Sequence, residues 1–251
     1  MDSLTGLPWA GVRYFCTTRE AGSSAPPYQG LNLASHVADS PEAVEANRAR
    51  LRQLLPAEPL WLDQVHGSDV WDADTESAVD MPKADAAVTT QKGRVLAIMT
   101  ADCLPVIIAD GCGTVLGAAH AGWRGLAAGV LENTFAQMRR VAPRAAGWRA
   151  WIGPAISQAC FEVGEDVRDA FVSRNADLAM YFAADPVRGR WRADLPSIAR
   201  HRLFCAGVRQ VECSGLCTYT DTRHFYSYRR ESPTGRQATL AWLSVGSSDF
   251  P

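Results

Sequence analysis

Short, almost entirely apolar runs separated by brief polar turns dominate the middle of the chain. Four such runs cover residues 86–89, 95–100, 105–109 and 114–119. Continuous apolar runs of this length are typical of strands that are buried on both faces. Because only short turns join them, the pattern favours antiparallel or mixed pairing over a series of parallel strand–helix–strand units.

Runs rich in β-branched and aromatic residues predict further strands on both sides of this centre. They lie at 11–18, 60–65, 69–71, 150–156, 160–163 and 210–214. Two last runs, at 225–228 and 238–243, are predicted to pair with each other and close the fold. The residues at 72–83 are mostly polar and predict a loop.

Four segments predict helices. The first begins at Ser40, an N-cap residue followed by Pro41 at the first helical position, and runs to about residue 55. The others cover 123–141, 164–173 and 195–205, and the last of them stops near Gly207. These elements predict one α+β domain, or a layered α/β domain, built around a mixed sheet and spanning residues 1–251.

The composition is that of an ordinary globular protein, with 47% hydrophobic residues, 21% charged residues and a net charge of −2. This charge gives no reason to expect nucleic acid or a membrane as a partner. The apolar runs are too short to span a bilayer, and the N-terminus lacks the plan of a signal peptide, which predicts a cytoplasmic protein. The seven cysteines show no CxxC pair and are expected to be free, buried thiols. Both a monomer and a homodimer fit these data.

Three residues at predicted strand ends suggest a metal site. The chain has only five histidines, and His66 and His120 lie close to glycines at such ends, as Cys103 lies at another. Two imidazoles and one thiolate suit zinc and leave a fourth coordination position open, as in catalytic zinc sites. The same donors also suit copper, so the ligand types favour zinc and leave copper open.

The same residues allow two other interpretations. Cys103 and His120 could form a nucleophilic thiolate–imidazole pair whose ring is oriented by Asp102 or a carbonyl group, as in a cysteine hydrolase. Beside a metal, Asp102 would instead orient a ligand or act as a base. A non-catalytic zinc-stabilised module would need a fourth protein ligand, which no nearby residue supplies. Asp85 is expected to be a turn or capping residue.

Anion-binding groups are also present. The segment at 122–125 opens a predicted helix, where free amides and Arg124 could bind an anion, although its glycines also suit a tight turn. Arg229 and Arg230 follow an aromatic run that could line a pocket for a base.

Several longer motifs resemble the YfiH family, also known as polyphenol oxidase or laccase-domain proteins. They run from about residue 17 to the C-terminus and comprise LNLASHV (31–37), EANR (45–48), DQVHGSDV (63–70), ADAAVTT (84–90), TADCLPV (100–106), HAGWRGLAAGV (120–130), WIGPAIS (151–157), CFEVGEDV (160–167) and CTYTDTRHFYSYRRE (217–231).

The resemblance implies a mixed α/β fold grouped with a cysteine deamidase domain of a bacterial toxin. It also implies a metal held by His66, Cys103 and His120. Family members are described as splitting adenosine, inosine and methylthioadenosine with phosphate and as deaminating adenosine, and one bacterial branch is linked to the editing of peptidoglycan precursors. A four-copper laccase needs about ten histidines, many in His-x-His pairs. This chain has five histidines and no such pair, so that function is excluded, whereas oxidation at a single copper ion is not.

On this resemblance we expect a purine nucleoside phosphorylase with adenosine deaminase side activity, which acts on a nucleoside and phosphate. Catalysis would rest on Cys103, His120 and Asp102. The candidate groups for binding phosphate, sugar or base are Asn32, Arg48, Arg124, Arg229 and Arg230. The alternatives are a cysteine- or zinc-dependent amidase acting on cell-wall precursors and, more weakly, a mononuclear copper oxidase.

Overall fold

The computed structural model describes residues 2–75 and 81–246. In these residues the strands are β1 (Ser3–Leu4), β2 (Val12–Thr17), β3 (Val70–Asp72), β4 (Ala86–Thr89), β5 (Leu96–Thr100), β6 (Leu104–Ala109), β7 (Leu116–Ala121), β8 (Arg149–Ile152), β9 (Glu162–Gly164), β10 (Phe182–Ala184), β11 (Arg190–Ala193), β12 (Gln210–Cys213) and β13 (Gln237–Leu243). The helices are α1 (Pro41–Arg52), α2 (Trp123–Ala128), α3 (Val130–Val141), α4 (Glu165–Val172) and α5 (Leu195–Ala206), with 3-10 turns at Gln158–Cys160 and Ala176–Tyr181. Part of the loop predicted at 72–83 falls outside the described residues.

The central apolar runs form the middle of a six-stranded mixed sheet. Its order is β12-β8-β6-β7-β4-β3, with antiparallel pairing at the centre and parallel pairing at both edges. The predicted mixed pairing is therefore confirmed. A four-stranded sheet, β1-β2-β13-β5, is antiparallel throughout, and β10, β11 and β9 form a small third sheet.

The layers follow from the alternation of side chains along each strand. On β6, Val106 and Ile108 face a core shared with the helices α2 to α5, whereas Ile107 faces a second core shared with the four-stranded sheet. The far face of that sheet, including Trp242, packs against α1 and the preceding segment. The result is a helix–sheet–sheet–helix stack, so the fold is α+β with mixed sheets, as predicted.

Two predicted helices begin as expected and differ in how they continue. Helix α1 starts after Ser40, whose hydroxyl accepts a hydrogen bond from the Ala43 amide. The helix predicted at 123–141 is divided in two at Gly129, whose φ of 102° lies in the left-handed region and ends α2, and α3 begins at the next residue. The apolar stripe continues across this break, and for that reason the pattern alone predicted one helix.

The segment at 225–228 is not a strand, contrary to prediction. Phe225 and Tyr226 are fully buried, which explains the apolar pattern. However, β13 already pairs with β2 on one side and β5 on the other, so its hydrogen-bonding edges are occupied.

The predicted strand at 60–65 makes only isolated bridges. Leu60 pairs with Leu96 of the four-stranded sheet, whereas Asp63 pairs with Lys83 beside the six-stranded sheet. The segment therefore crosses from one sheet to the other and carries the chain to His66. No helix among the described residues has the length and apolar character needed to cross a membrane.

Candidate active site

Three side chains from different parts of the chain meet at one end of the two sheets. Cys103 lies in the turn between β5 and β6, His120 lies in β7, and His66 lies in the turn before β3. Their ligand atoms all lie within 4.8 Å of one another, and Cys103 Sγ is 3.9 Å from His66 Nε2. His120 is on the face of β7 that looks towards the other sheet. Leu116 and Ala118, earlier in the strand, lie on the same face.

Asp85, just before β4, holds both histidines. Its carboxylate accepts hydrogen bonds from the backbone amides of Val65, His66 and Gly67, at 3.1, 2.9 and 2.6 Å. It also accepts one from His120 Nδ1 at 2.8 Å, and its own carbonyl accepts one from the His120 amide at 2.7 Å. These contacts stabilise His66 at a φ of 60°, a left-handed conformation that non-glycine residues rarely adopt. They also leave Nε2 of His120 as the ligand atom.

Two glycines allow the helix after β7 to approach this turn closely. A Cβ atom on Gly122 would lie 2.8 Å from His66 Cδ2 and 3.0 Å from Cys103 Sγ. A Cβ atom on Gly125 would lie 2.5 Å from the carbonyl oxygen of Gly67. Close packing around His66 and Cys103 therefore explains the glycines of the GWRG segment. This is the tight-turn interpretation, which was the alternative to an anion-binding site.

The donor set and its spacing fit one metal ion. Ligand atoms of a tetrahedral zinc site are about 3.4–3.6 Å apart, close to the 3.9 Å between Cys103 and His66. One thiolate and two imidazoles suit zinc or copper, and the Asp85–His120 contact is the carboxylate–histidine arrangement common at metal ligands.

The same three groups perturb one another's protonation. Burial alone would raise the pKa of the Cys103 thiol, but the neighbouring His120 and His66 outweigh it and lower that pKa to about 6. Burial alone would lower the pKa of His120, but the Cys103 thiolate and Asp85 raise it to about 9. Without a metal, the pair is therefore a thiolate and an imidazolium over the range between these values.

These residues open into a cavity of about 510 Å³, within the range of pockets that hold small ligands. Aromatic and apolar side chains form much of its wall, and three arginines reach it. The lining comprises His36, Gln64, His66, Met99, Thr100, Ala101, Asp102, Cys103, His120, Trp123, Arg124, Ile156, Phe161, Leu195, Tyr228, Arg229 and Arg236.

The profile of the family described as "Multi-copper polyphenol oxidoreductase laccase" matches residues 13–244, nearly the whole chain. The chain belongs to this family, the YfiH family. Within the described ranges, one group of three potential ligands lies close together, namely His66, Cys103 and His120. In the part of the chain that the structure describes, this member therefore has one group of side chains that could hold a metal ion.

Relatives and solved structures extend this assignment. "Purine nucleoside phosphorylase PA4543" of Pseudomonas aeruginosa is 48% identical over 93% of this chain and 94% of the relative. "Purine nucleoside phosphorylase YfiH" of Escherichia coli is 45% identical over 93% of this chain and 94% of the relative. The crystal structure of Neisseria meningitidis protein NMB0706 superimposes with a TM-score of 0.90 at 44% identity, over 97% of this chain and 100% of that one.

The candidate substrate residues separate into two groups in this YfiH-family structure. Arg124 and Arg229 line the cavity. The Arg124 guanidinium is exposed and stacks on Trp123 at 4.4 Å, whereas Arg229 Nη1 donates to the Glu162 carbonyl at 2.8 Å.

Asn32, Arg48 and Arg230 are not among the described residues that line the cavity. Asn32 is fully buried and bonded to Asp39 at 2.8 Å. Arg48 donates to the Leu33 carbonyl at 2.9 Å and stacks on Trp61. Arg230 donates to the carbonyls of Thr218, Tyr219 and Phe225. Internal bonds hold all three, so a direct contact with substrate is not supported.

Asp102 lines the cavity. One hypothesis was that it orients the His120 ring, and the structure shows that it does not. At a φ of 94°, its carboxylate accepts hydrogen bonds from the Thr218 hydroxyl and the Arg229 amide, both at 2.7 Å. The group that orients the ring is Asp85, which the sequence indicated only as a turn residue.

Three more functional candidates were missed, namely Asp85, His36 and Arg236. Asp85, in the ADAAVTT motif, was expected only to be a turn or capping residue, and His36 was noticed only as part of the LNLASHV motif. Arg236 follows a polar turn and gave no signal. The His36 side chain lines the cavity, and burial together with Arg236 and Arg48 lowers its pKa.

Proposed function

We propose that this protein is a metal-dependent purine nucleoside phosphorylase, which splits a purine nucleoside with phosphate into the free base and ribose 1-phosphate, or methylthioribose 1-phosphate when the nucleoside is methylthioadenosine. The observation that carries the proposal is the position of the three ligands in a cavity that also presents arginines and aromatic rings. The names of the relatives from Pseudomonas aeruginosa and Escherichia coli support it.

The arginines of the cavity supply the charge that phosphate requires. Arg124 is the leading candidate because its exposed guanidinium lies four residues from His120, next to the ligands. Arg229 and Arg236 reach the same cavity, and guanidinium groups bind phosphate through paired hydrogen bonds.

The apolar part of the cavity suits the base. Phe161, Tyr228 and Trp123 offer flat faces on which a purine can stack. In phosphorolysis, a phosphate oxygen bonds to C1′ while the C1′–N9 bond breaks and its electrons move to the base. The base then takes a proton, and His36 and Asp102 are candidate donors that line the cavity outside the ligand set.

His66, Cys103 and His120 would hold the metal, with Asp85 fixing the two histidines. When bound, zinc supplies Lewis-acid chemistry and lowers the pKa of a water molecule, which suits deamination at C6 of adenine. We therefore include adenosine deamination as a side activity, with adenosine, inosine and methylthioadenosine as the nucleosides to test.

The test is to incubate the purified protein with each nucleoside, with and without phosphate, and to separate the products by chromatography. Phosphate-dependent release of base with ribose 1-phosphate, or with methylthioribose 1-phosphate from methylthioadenosine, supports phosphorolysis, and inosine formed from adenosine supports deamination. If both products are absent, with no signal above the blank, the proposal is overturned. Arg124→Ala should raise the KM for phosphate by about 10-fold to 100-fold, the effect of one charge-assisted hydrogen bond. The exposed Arg139→Ala, on the outer face of α3, should leave it unchanged.

A second candidate is a cysteine-dependent amidase acting on cell-wall precursors. The thiolate–imidazolium state of Cys103 and His120, with Asp85 behind the ring, favours it. Removal of the metal discriminates between the two functions. If protein stripped of metal by a chelator still cleaves amides and forms no free purine, the amidase is favoured.

A further inference from the structure

Two cysteine side chains, Cys160 and Cys217, lie beside the cavity and belong to no part of the site described above. Cys160 ends the 3-10 turn Gln158–Cys160, and Cys217 lies after β12, where it pairs with Ala155 in a parallel bridge. Ser157 links the two residues: its amide donates to Cys217 Sγ at 3.3 Å, and its carbonyl accepts a hydrogen bond from the Cys160 amide at 3.0 Å. The Cys160 thiol is also close enough to Cys217 for the two to influence each other's pKa. The fold therefore brings together two thiols that are separated by 57 positions in the sequence (217 − 160).

Both cysteine residues are partly exposed to solvent. Cys160 and Cys217 are half-buried, whereas Cys16 is fully buried in a strand. The expectation that the cysteines are buried small residues is therefore wrong for most of them, although all seven are free thiols. A small oxidant can approach this pair.

The surroundings give the two thiols different character. The Ser157 amide donates to Cys217 Sγ at 3.3 Å. Although burial acts in the opposite direction, hydrogen bonds from Ser157 and Thr220 lower the pKa of Cys217 to about 7. Burial raises the pKa of Cys160. Near neutral pH, Cys217 is thus partly a thiolate nucleophile beside a protonated thiol.

We propose that Cys160 and Cys217 form a peroxide-reactive thiol pair that closes to a disulfide beside the cavity. The Cys217 thiolate attacks one oxygen of hydrogen peroxide, the O–O bond breaks, and the departing hydroxide takes a proton to become water. The Cys160 sulfur then attacks the Cys217 sulfenic acid, an S–S bond forms, and the hydroxyl group leaves as a second water. Two thiols lose two electrons, and one peroxide molecule gains them.

The position of this pair would couple its oxidation to the site. Ile156 and Phe161, on either side of the Cys160 turn, line the cavity. The Ile156 amide donates to the Asp102 carbonyl at 2.9 Å, and Thr218, next to Cys217, donates to the Asp102 carboxylate. A disulfide would therefore join the two segments that hold Asp102.

The test uses the native protein and does not depend on nucleoside chemistry. The protein is treated with hydrogen peroxide, free thiols are blocked, and the tryptic peptides are mapped by mass spectrometry without reduction. The expected product is a cross-linked peptide joining Cys160 and Cys217, which a thiol reductant separates. It should persist in Cys205→Ser, which removes an exposed thiol on α5, and disappear in Cys160→Ser and Cys217→Ser.

Cys160→Ser should also leave a sulfenic acid on Cys217 that dimedone traps. Circular dichroism checks that each variant is folded. The peptide map of the wild-type protein decides the question even if a variant fails to fold. Oxidation of Cys205 without any Cys160–Cys217 cross-link would overturn the proposal. A cross-link that forms only in denatured protein would overturn it as well.

Discussion

Asp85→Asn tests whether a single buried carboxylate both stabilises the fold and shapes the proposed metal site. Asp85 has no exposed surface, and each of its carboxylate oxygens accepts two hydrogen bonds. One oxygen serves the His66 amide and His120 Nδ1, and the other serves the amides of Val65 and Gly67. Whichever way an asparagine amide turns, its NH₂ group faces two donors.

The magnitude follows from those two donors. A buried donor left without an acceptor costs about 1–3 kcal/mol, so two of them should lower the free energy of unfolding by about 2–6 kcal/mol. Against a total of about 5–15 kcal/mol for a typical protein, the variant should remain folded in many conditions. Because the donors belong to the two histidines or to the turn that carries one of them, metal affinity should also fall by about 10-fold to 100-fold.

Asp110→Asn provides a matched control. Asp110 is also buried, and its carboxylate accepts hydrogen bonds from three backbone amides and one side chain, in the turn between β6 and β7. Urea unfolding should show losses of similar size in both variants, whereas competition with a chromogenic chelator should show weaker zinc binding only in Asp85→Asn. Equal zinc affinity in the two variants would refute the role assigned to Asp85.

Three further predictions concern the same end of the molecule. Gly122→Ala places a methyl group 2.8 Å from His66 Cδ2 and 3.0 Å from Cys103 Sγ. Zinc affinity, measured by chelator competition, should therefore fall by about tenfold or more. Unchanged affinity would contradict the close packing. Gly129→Ala at a φ of 102° should cost about 1–3 kcal/mol in urea unfolding while zinc binding is kept. In metal-free protein, the rate at which iodoacetamide alkylates Cys103 should rise with pH around 6, because only the thiolate reacts and the pKa of this thiol is lowered. A rise only near the ordinary pKa of 9 would contradict the influence of His120 and His66.

Much of the fold was predictable because local sequence patterns decide the individual elements. The central runs became strands β4 to β7, and Ser40 begins α1 as expected. The errors fall where partners matter. The segment at 225–228 has a strand-like composition but no free edge of β13 to pair with, and Gly129 breaks a helix whose apolar stripe continues on both sides.

For the candidate site, prediction reached the residue types that have distinctive chemistry. Rare histidines and a cysteine at strand ends identified His66, Cys103 and His120, which the fold brings within 4.8 Å. Arginines are common, so their presence in a motif did not distinguish Arg124, which lines the cavity, from Arg48 and Arg230, whose bonds are internal.

The sequence by itself determined the central strands, most of the helices, the family motifs and the three potential metal ligands, because each depends on local periodicity or on rare residue types. Only the tertiary structure decided that Asp85 holds both histidines, that Asp102 bonds to Thr218 and Arg229, and that Cys160 and Cys217 both bond to Ser157. The contacts of Asp85 with the two histidines and of Asp102 with Thr218 and Arg229 join segments 19 to 127 residues apart. The acceptor that a buried donor finds depends on how the two sheets pack, which no local pattern encodes.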